Sequence, residues 1–218
     1  MQDARVAISK TTQACVNQVK ACYQCLFGRI VKLTLLLMLV VSASCGGSLY
    51  KIKRVAKLPL MPATAASVDL GSLSFRAAPM LTDEESQELF ESNLQLAGLL
   101  PVRLEINHNS GDAIELRRVR FRLRDATGAE WKSISTKQAI ARILKANGVF
   151  SYNPDSRKTF EKEFRTYELD LKSPLTHAER RRQGIIIFLS PRKEAVASPH
   201  GLVLTIDGFS QPATLNLN

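Results

Sequence analysis

The sequence predicts a mainly β protein: an immunoglobulin-like β-sandwich carrying two or three inserted α-helices. Three observations predict it. Short runs in which apolar and polar residues alternate recur at spacings of about 8–12 residues between turn signals, the pattern of a sandwich or barrel. Two segments in the middle of the chain change to helical spacing, each behind a capping residue. Ile185–Leu189 is an unbroken apolar run of strand length, suited to a central strand buried on both faces.

In chain order, Val68 and Leu70 alternate with polar neighbours, and Leu73, Phe75 and Ala77 continue in shifted parity after Gly71. This reads as a strand with a bulge. Thr82–Glu85 is a capping-box signature, in which the threonine side chain and Glu85 satisfy the first free amides of a helix. That helix runs through Leu89 and Phe90 to about Asn93. From Leu100 the β pattern is strong: Val102, Leu104, Ile106 and His108 face one way, Arg103, Glu105 and Asn107 the other. Asn109–Asp112 supplies turn chemistry, and Ile114 and Leu116 resume the alternation. After a parity shift at Arg117 and Arg118, the residues Val119, Phe121 and Leu123 point inward. Asp125–Gly128 turns the chain into a strand around Trp131. Ser135 and Gln138 cap a helix whose Ala139, Ile140, Ile143 and Leu144 share one face, and Asn147–Gly148 ends it. Asn153–Asp155 starts another, with Phe160, Phe164, Tyr167 and Leu171 as its stripe. Both stripes read as core faces rather than cofactor boxes. Pro191–Lys193 ends the central strand, Leu202, Leu204 and Ile206 alternate, and Ala213–Leu217 forms a last edge strand.

Ahead of these elements, Leu33–Val41 is apolar apart from Thr34, and Ser42, Ala43, Ser44 and Cys45 follow. Arg29 and Lys32 precede the run, with no acid nearer than Asp3. A membrane-spanning helix needs about 20 apolar residues, so the run suits a secretory signal with a small-residue cut site. A cysteine directly after that site resembles the lipobox of bacterial lipoproteins, whose thiol receives a diacylglyceryl group. An ordinary cleaved signal and an uncleaved N-terminal anchor share the same layout. The cysteines favour lipidation. Cleavage before Cys45 removes Cys15, Cys22 and Cys25, and an odd exposed thiol is a liability in an oxidising compartment unless it carries a lipid. Cys22 and Cys25 have redox spacing but no second pair, and they lie in the discarded segment. The expected division is a signal with an extended basic start over 1–44, a lipid-anchored tether over 45–65, and the folded domain over 66–218. Four basic residues, Lys51, Lys53, Arg54 and Lys57, cluster in the tether and read either as a solubilising linker or as a patch drawn to anionic lipid.

After that cut, 174 residues with 25 basic and 19 acidic side chains remain, a net charge of +6. Interspersed acids argue against a dedicated nucleic-acid binder. The sequence offers no metal motif, no Gly-rich phosphate loop and no nucleophile elbow; His108, His177 and His200 stand in separate contexts, and no cofactor is expected. Glu161, Glu163 and Glu168 read as a solvated helix face. Two basic features remain. Arg118, Arg120, Arg122 and Arg124 form a ladder on one strand face, either a solubilising surface interleaved with acids such as Glu105 or Glu130 or a binding face for an acidic partner or a phosphate-bearing glycan. Glu179–Arg182 reads as a charged gatekeeper before the apolar strand. The expected function is non-enzymatic: a membrane-tethered interaction or structural module of the cell envelope, with an envelope protein as partner. The alternative is a ligand-binding lipoprotein with a pocket between sandwich and helices; a hydrolase ranks below both. In resembling enteric lipoproteins without aspartate after the cysteine, Gly46 favours the outer membrane, facing the periplasm.

Overall fold

The computed structural model describes residues 58–109, 111–149 and 153–218; Cys45, the apolar run before it and the basic cluster after it lie outside the described residues. Among the described residues there are eight strands: β1 (Ala66–Leu70), β2 (Leu73–Pro79), β3 (Leu99–His108), β4 (Arg120–Arg124), β5 (Glu130–Ile134), β6 (Arg181–Leu189), β7 (Val203–Asp207) and β8 (Ala213–Asn216). Three helices join them: α1 (Asp83–Phe90), α2 (Thr136–Ala146) and α3 (Pro154–Arg165). The strands pair antiparallel in the order β1-β2-β3-β6-β5-β4-β7-β8, and the two edge strands come back alongside each other. The result is one sheet curled into a nearly closed barrel. The mainly β expectation stands, and a sandwich of the immunoglobulin kind is not confirmed by this ladder. The joint is β5, which pairs with both β4 and β6 and so links what would otherwise be two sheets.

Local chemistry explains most of the boundaries. The capping boxes at Thr82/Glu85 and Ser135/Gln138 are both formed, and Asn153 caps α3 with Pro154 in its first turn. One expectation changes. Gly71 does not mark a bulge; with Ser72 it forms the two-residue turn of a β1–β2 hairpin flanked by the pair Leu70 and Leu73. Gly71 has φ +73° while Ser72 does not enter the positive-φ region, which is the II′ requirement of glycine at the first central position. A second change follows α3. The stripe Phe160, Phe164, Tyr167, Leu171 leaves the helix after Arg165, because Tyr167–Leu169 becomes extended and runs beside β6 through a parallel bridge from Glu168 to Ile185. Ile114 likewise makes only an isolated bridge, to Leu175.

Two apolar clusters result. Alternating residues of the strands fill the barrel: Phe75, Val102, Leu104, Ile106, Leu123, Trp131, Phe188 and Leu204 are among them. The second cluster lies outside the wall, where the three helices pack on β6. Phe90 stacks on Phe164 at 4.7 Å, and Ile140, Ile143 and Phe160 join them over Ile185 and Ile187. This explains the unbroken apolar run of β6, since Phe188 looks inward and Ile185 and Ile187 look outward.

The chain reaches β1 as a strap, Leu58–Pro62, laid on the outer side of β2 and β3. Arg103 donates to the carbonyls of Pro59 and Leu60, Arg76 donates to that of Pro62, and Met61 is buried. Next to it Glu105 is only 4% exposed. Arg181 (2.6 Å), Gln183 (2.5 Å) and Asn107 (3.1 Å) all donate to its carboxylate. Burial pushes its pKa up, but these donors and the Arg181 charge outweigh burial and hold it below the ordinary carboxylate range. The folded pKa is thus the lower one, so the contribution is complete above the unfolded value of about 4.3 and lost as pH falls through the folded pKa. In urea titrations between pH 7 and pH 3, Glu105→Gln is expected to be less stable at neutral pH and to lose less stability in acid. Parallel curves for the two proteins would remove Glu105 from the acid response.

Candidate binding cleft and the arginine face

The barrel wall is incomplete at one place. Strand β5 has five residues; it meets β4 only at Leu123 and Arg124, and β6 only at Ile187, Phe188 and Leu189. Below those pairs β4 and β6 separate. On the β6 side the gap is closed by the stretch after α3: Ile185 donates its N–H to the Tyr167 carbonyl (2.6 Å) and accepts from the Leu169 N–H (3.3 Å). This close approach requires Gly184, whose missing side chain would lie 2.6 Å from the Leu169 nitrogen. On the β4 side nothing closes the gap among the described residues, and a cleft of about 230 Å³ remains.

The cleft passes between the two apolar clusters. Val119, Phe121, Leu169, Leu171 and Ile186 line it from the barrel interior, and Phe90, Phe164, Tyr167, Ile185 and Ile187 from the helical side. Its few polar groups sit towards the mouth. The Thr136 hydroxyl donates to Glu168 Oε2 at 3.2 Å, and Arg120 Nη1 donates to the carbonyls of Arg117 and Val119 at 2.7 and 2.9 Å. An apolar body with a few fixed polar groups is the common composition of a small-molecule site. Its volume exceeds the roughly 150 Å³ that admits benzene but is below the roughly 300 Å³ where drug-sized pockets begin. It therefore accommodates one ring, one branched side chain or a short acyl chain.

The four ladder residues are found where the alternation puts them: Arg118, Arg120, Arg122 and Arg124 are all exposed, while Val119, Phe121 and Leu123 are buried. Their partners differ from the expectation in part. Glu130 stands opposite Arg124 in the register, but Glu105 lies away on β3, and Asp207 of β7 takes its place. Arg122 grips Asp207 with two bonds (2.7 and 3.0 Å), and that carboxylate raises the guanidinium above its ordinary pKa. The face is thus partly neutralised from within.

The basic run at the start of β6 belongs to the fold. Arg181 holds Glu105, and Arg182 is 7% exposed with all its N–H groups engaged. Nε and Nη2 take both oxygens of Glu179 (2.8 and 2.5 Å), Nη1 takes the carbonyls of Asp170 and Ser173, and Nη2 also takes that of Pro174. The two ions raise the Arg182 pKa and lower that of Glu179. Of the histidines, His108 and His177 come together at one end of the barrel, ring centroids 6.3 Å apart. His108 Nε2 lies 3.1 Å from the Asp112 carbonyl and closes the end of β3. Among the described residues no three His, Cys, Asp or Glu side chains form a metal-holding group, and no helix is long and apolar enough to cross a membrane.

Thr136 and Ser133, which also lines the cleft, carried no signal in the sequence, because the cleft depends on where β5 stops and on the chain leaving α3 early. Glu168 is not on the solvated helix face expected for it, because the helix ends at Arg165. No family model matches the chain, and no curated protein and no solved structure matches it either.

Proposed function

We propose that this chain is an envelope lipoprotein, anchored through a lipid on Cys45 to the outer membrane facing the periplasm, that acts by binding rather than by catalysis. The observation that supports the binding reading is the cleft between β4, β6 and the Tyr167–Leu171 stretch, apolar on both sides and polar at its mouth. It favours the ligand-binding alternative over a purely structural module. The exposed arginines of β4 favour a second reading, contact with an acidic face of an envelope protein, of which the Arg122–Asp207 pair takes up part.

Two measurements test the proposal. The full chain is titrated with small ring-bearing probes such as 3-phenylpropanol while thermal unfolding is followed. A ligand at 100 times its Kd stabilises by about 2.7 kcal/mol, and the Ile134→Trp variant, which enlarges a side chain lining the cleft, is expected to lose that gain. No stabilisation by any ring or acyl probe would refute binding at the cleft. For the anchor, Cys45→Ala is expected to leave the membrane fraction or keep its precursor size. A Cys45→Ala product of mature size that still pellets with membranes would refute lipidation.

A further inference from the structure

Resting on the cleft as the binding site, we infer that its ligand is an extended peptide segment, which adds as a strand to the open edge of β4 and drops one large apolar side chain into the cleft. The gap has the geometry of an absent piece of strand. Arg120, Phe121 and Arg122 pair with Asp207, Ile206 and Thr205 on the β7 side, while among the described residues the other side of β4 has no strand neighbour until Leu123. In an antiparallel ladder alternate residues point their N–H and C=O groups to opposite sides, so this stretch carries main-chain groups directed at the gap. At its head the chain supplies a stand-in, the Arg120 guanidinium bonded to the Val119 carbonyl. The β6 side needs no partner, since Ile185 already exchanges both its main-chain bonds with Tyr167 and Leu169.

A peptide fits this site better than a free hydrocarbon would. Strand addition to an exposed edge draws its affinity from main-chain bonds and its selectivity from pockets for alternate side chains. A chain passing through the wall presents successive side chains to opposite sides, and both sides of the cleft are apolar: Phe121 and Ile186 on one, Ile185 and Ile187 on the other. The volume of about 230 Å³ holds one aromatic or branched side chain, not several. The mouth carries both charges, the Arg120 guanidinium on one wall and the Glu168 carboxylate on the other. A peptide with a lysine and a glutamate flanking its apolar centre complements both.

The test uses the full chain in lipid nanodiscs and a blocked pentapeptide of lysine, isoleucine, phenylalanine, valine and glutamate. Binding is read by fluorescence polarisation and by hydrogen exchange of Val119–Arg124. The expected result is slower exchange on that stretch, with affinity at least tenfold weaker for the peptide N-methylated along its centre and for the Ile134→Trp protein. Equal affinity of the N-methylated peptide, or unchanged exchange on β4, would overturn the inference. Binding of 3-phenylpropanol with no gain from the peptide would overturn it as well, while leaving the cleft a ligand site. Binding of neither probe would overturn both readings together.

Discussion

Replacing Arg182 by methionine is expected to cost about 3–5 kcal/mol, most of it from the main-chain carbonyls that lose their donors, since the partner carboxylate of Glu179 is half-exposed and returns to water. The side chain is almost fully buried and its guanidinium serves one carboxylate and three main-chain carbonyls. Each carbonyl left without a donor costs about 1–3 kcal/mol unless water reaches it. Those carbonyls all belong to the Asp170–Pro174 turn, so the loss acts on the chain leading from the cleft stretch to β6. For a domain of this size each kcal/mol lowers Tm by about 2–4 °C, giving an expected drop on the order of 10–15 °C. Arg182→Lys keeps the charge but has three donors without the planar fork; it is expected to recover less than half of the loss. The measurement is urea unfolding of the three proteins, and a methionine variant within about 1 kcal/mol of the parent would show that the turn stands without the guanidinium.

Gly184→Ala is the second change expected to have a large effect. At this position the backbone torsion is ordinary, so the objection is space alone: an added methyl meets the backbone of Leu169, not a side chain that can swing away. Overpacking in a fitted core costs about 1–3 kcal/mol and sometimes more, and a main-chain obstacle puts this case at the upper end, about 3 kcal/mol. The stretch Tyr167–Leu169 must then leave β6, breaking its two bonds with Ile185. Hydrogen exchange at the Leu169 and Ile185 amides is expected to rise well above that of the barrel interior. Unchanged protection there, with parental stability, would mean the sheet and the stretch separate at little cost.

How much of this could be read from the chain differs element by element. The helix starts were legible because Thr82, Ser135 and Asn153 are local devices, each satisfied within three residues. The strand faces were legible because alternation reports burial directly, as Val119, Phe121 and Leu123 show against their arginine neighbours. The hairpin at Gly71 reads as a bulge in the sequence because both devices put a glycine at a change of parity; only the pairing partner separates them. Arg182 reads as a gatekeeper charge in the sequence because sequence shows the residue type and not the carbonyls that gather around it. The cleft was hidden for a related reason. It exists where a five-residue strand ends between longer neighbours, and strand ends are set by tertiary pairing rather than by the residues themselves.

The way the chain enters the barrel also decides how the molecule bears force. A pull delivered from the N-terminal side first meets the strap, where three guanidinium-to-carbonyl bonds and the seated Met61 share the load. Without the strap, tension would reach β1 directly, an outermost strand of five residues that can peel from β2 one pair at a time. The arginines of β2 and β3 thus act as a strain relief, keeping tension that arrives from the N-terminal side away from the fold behind them.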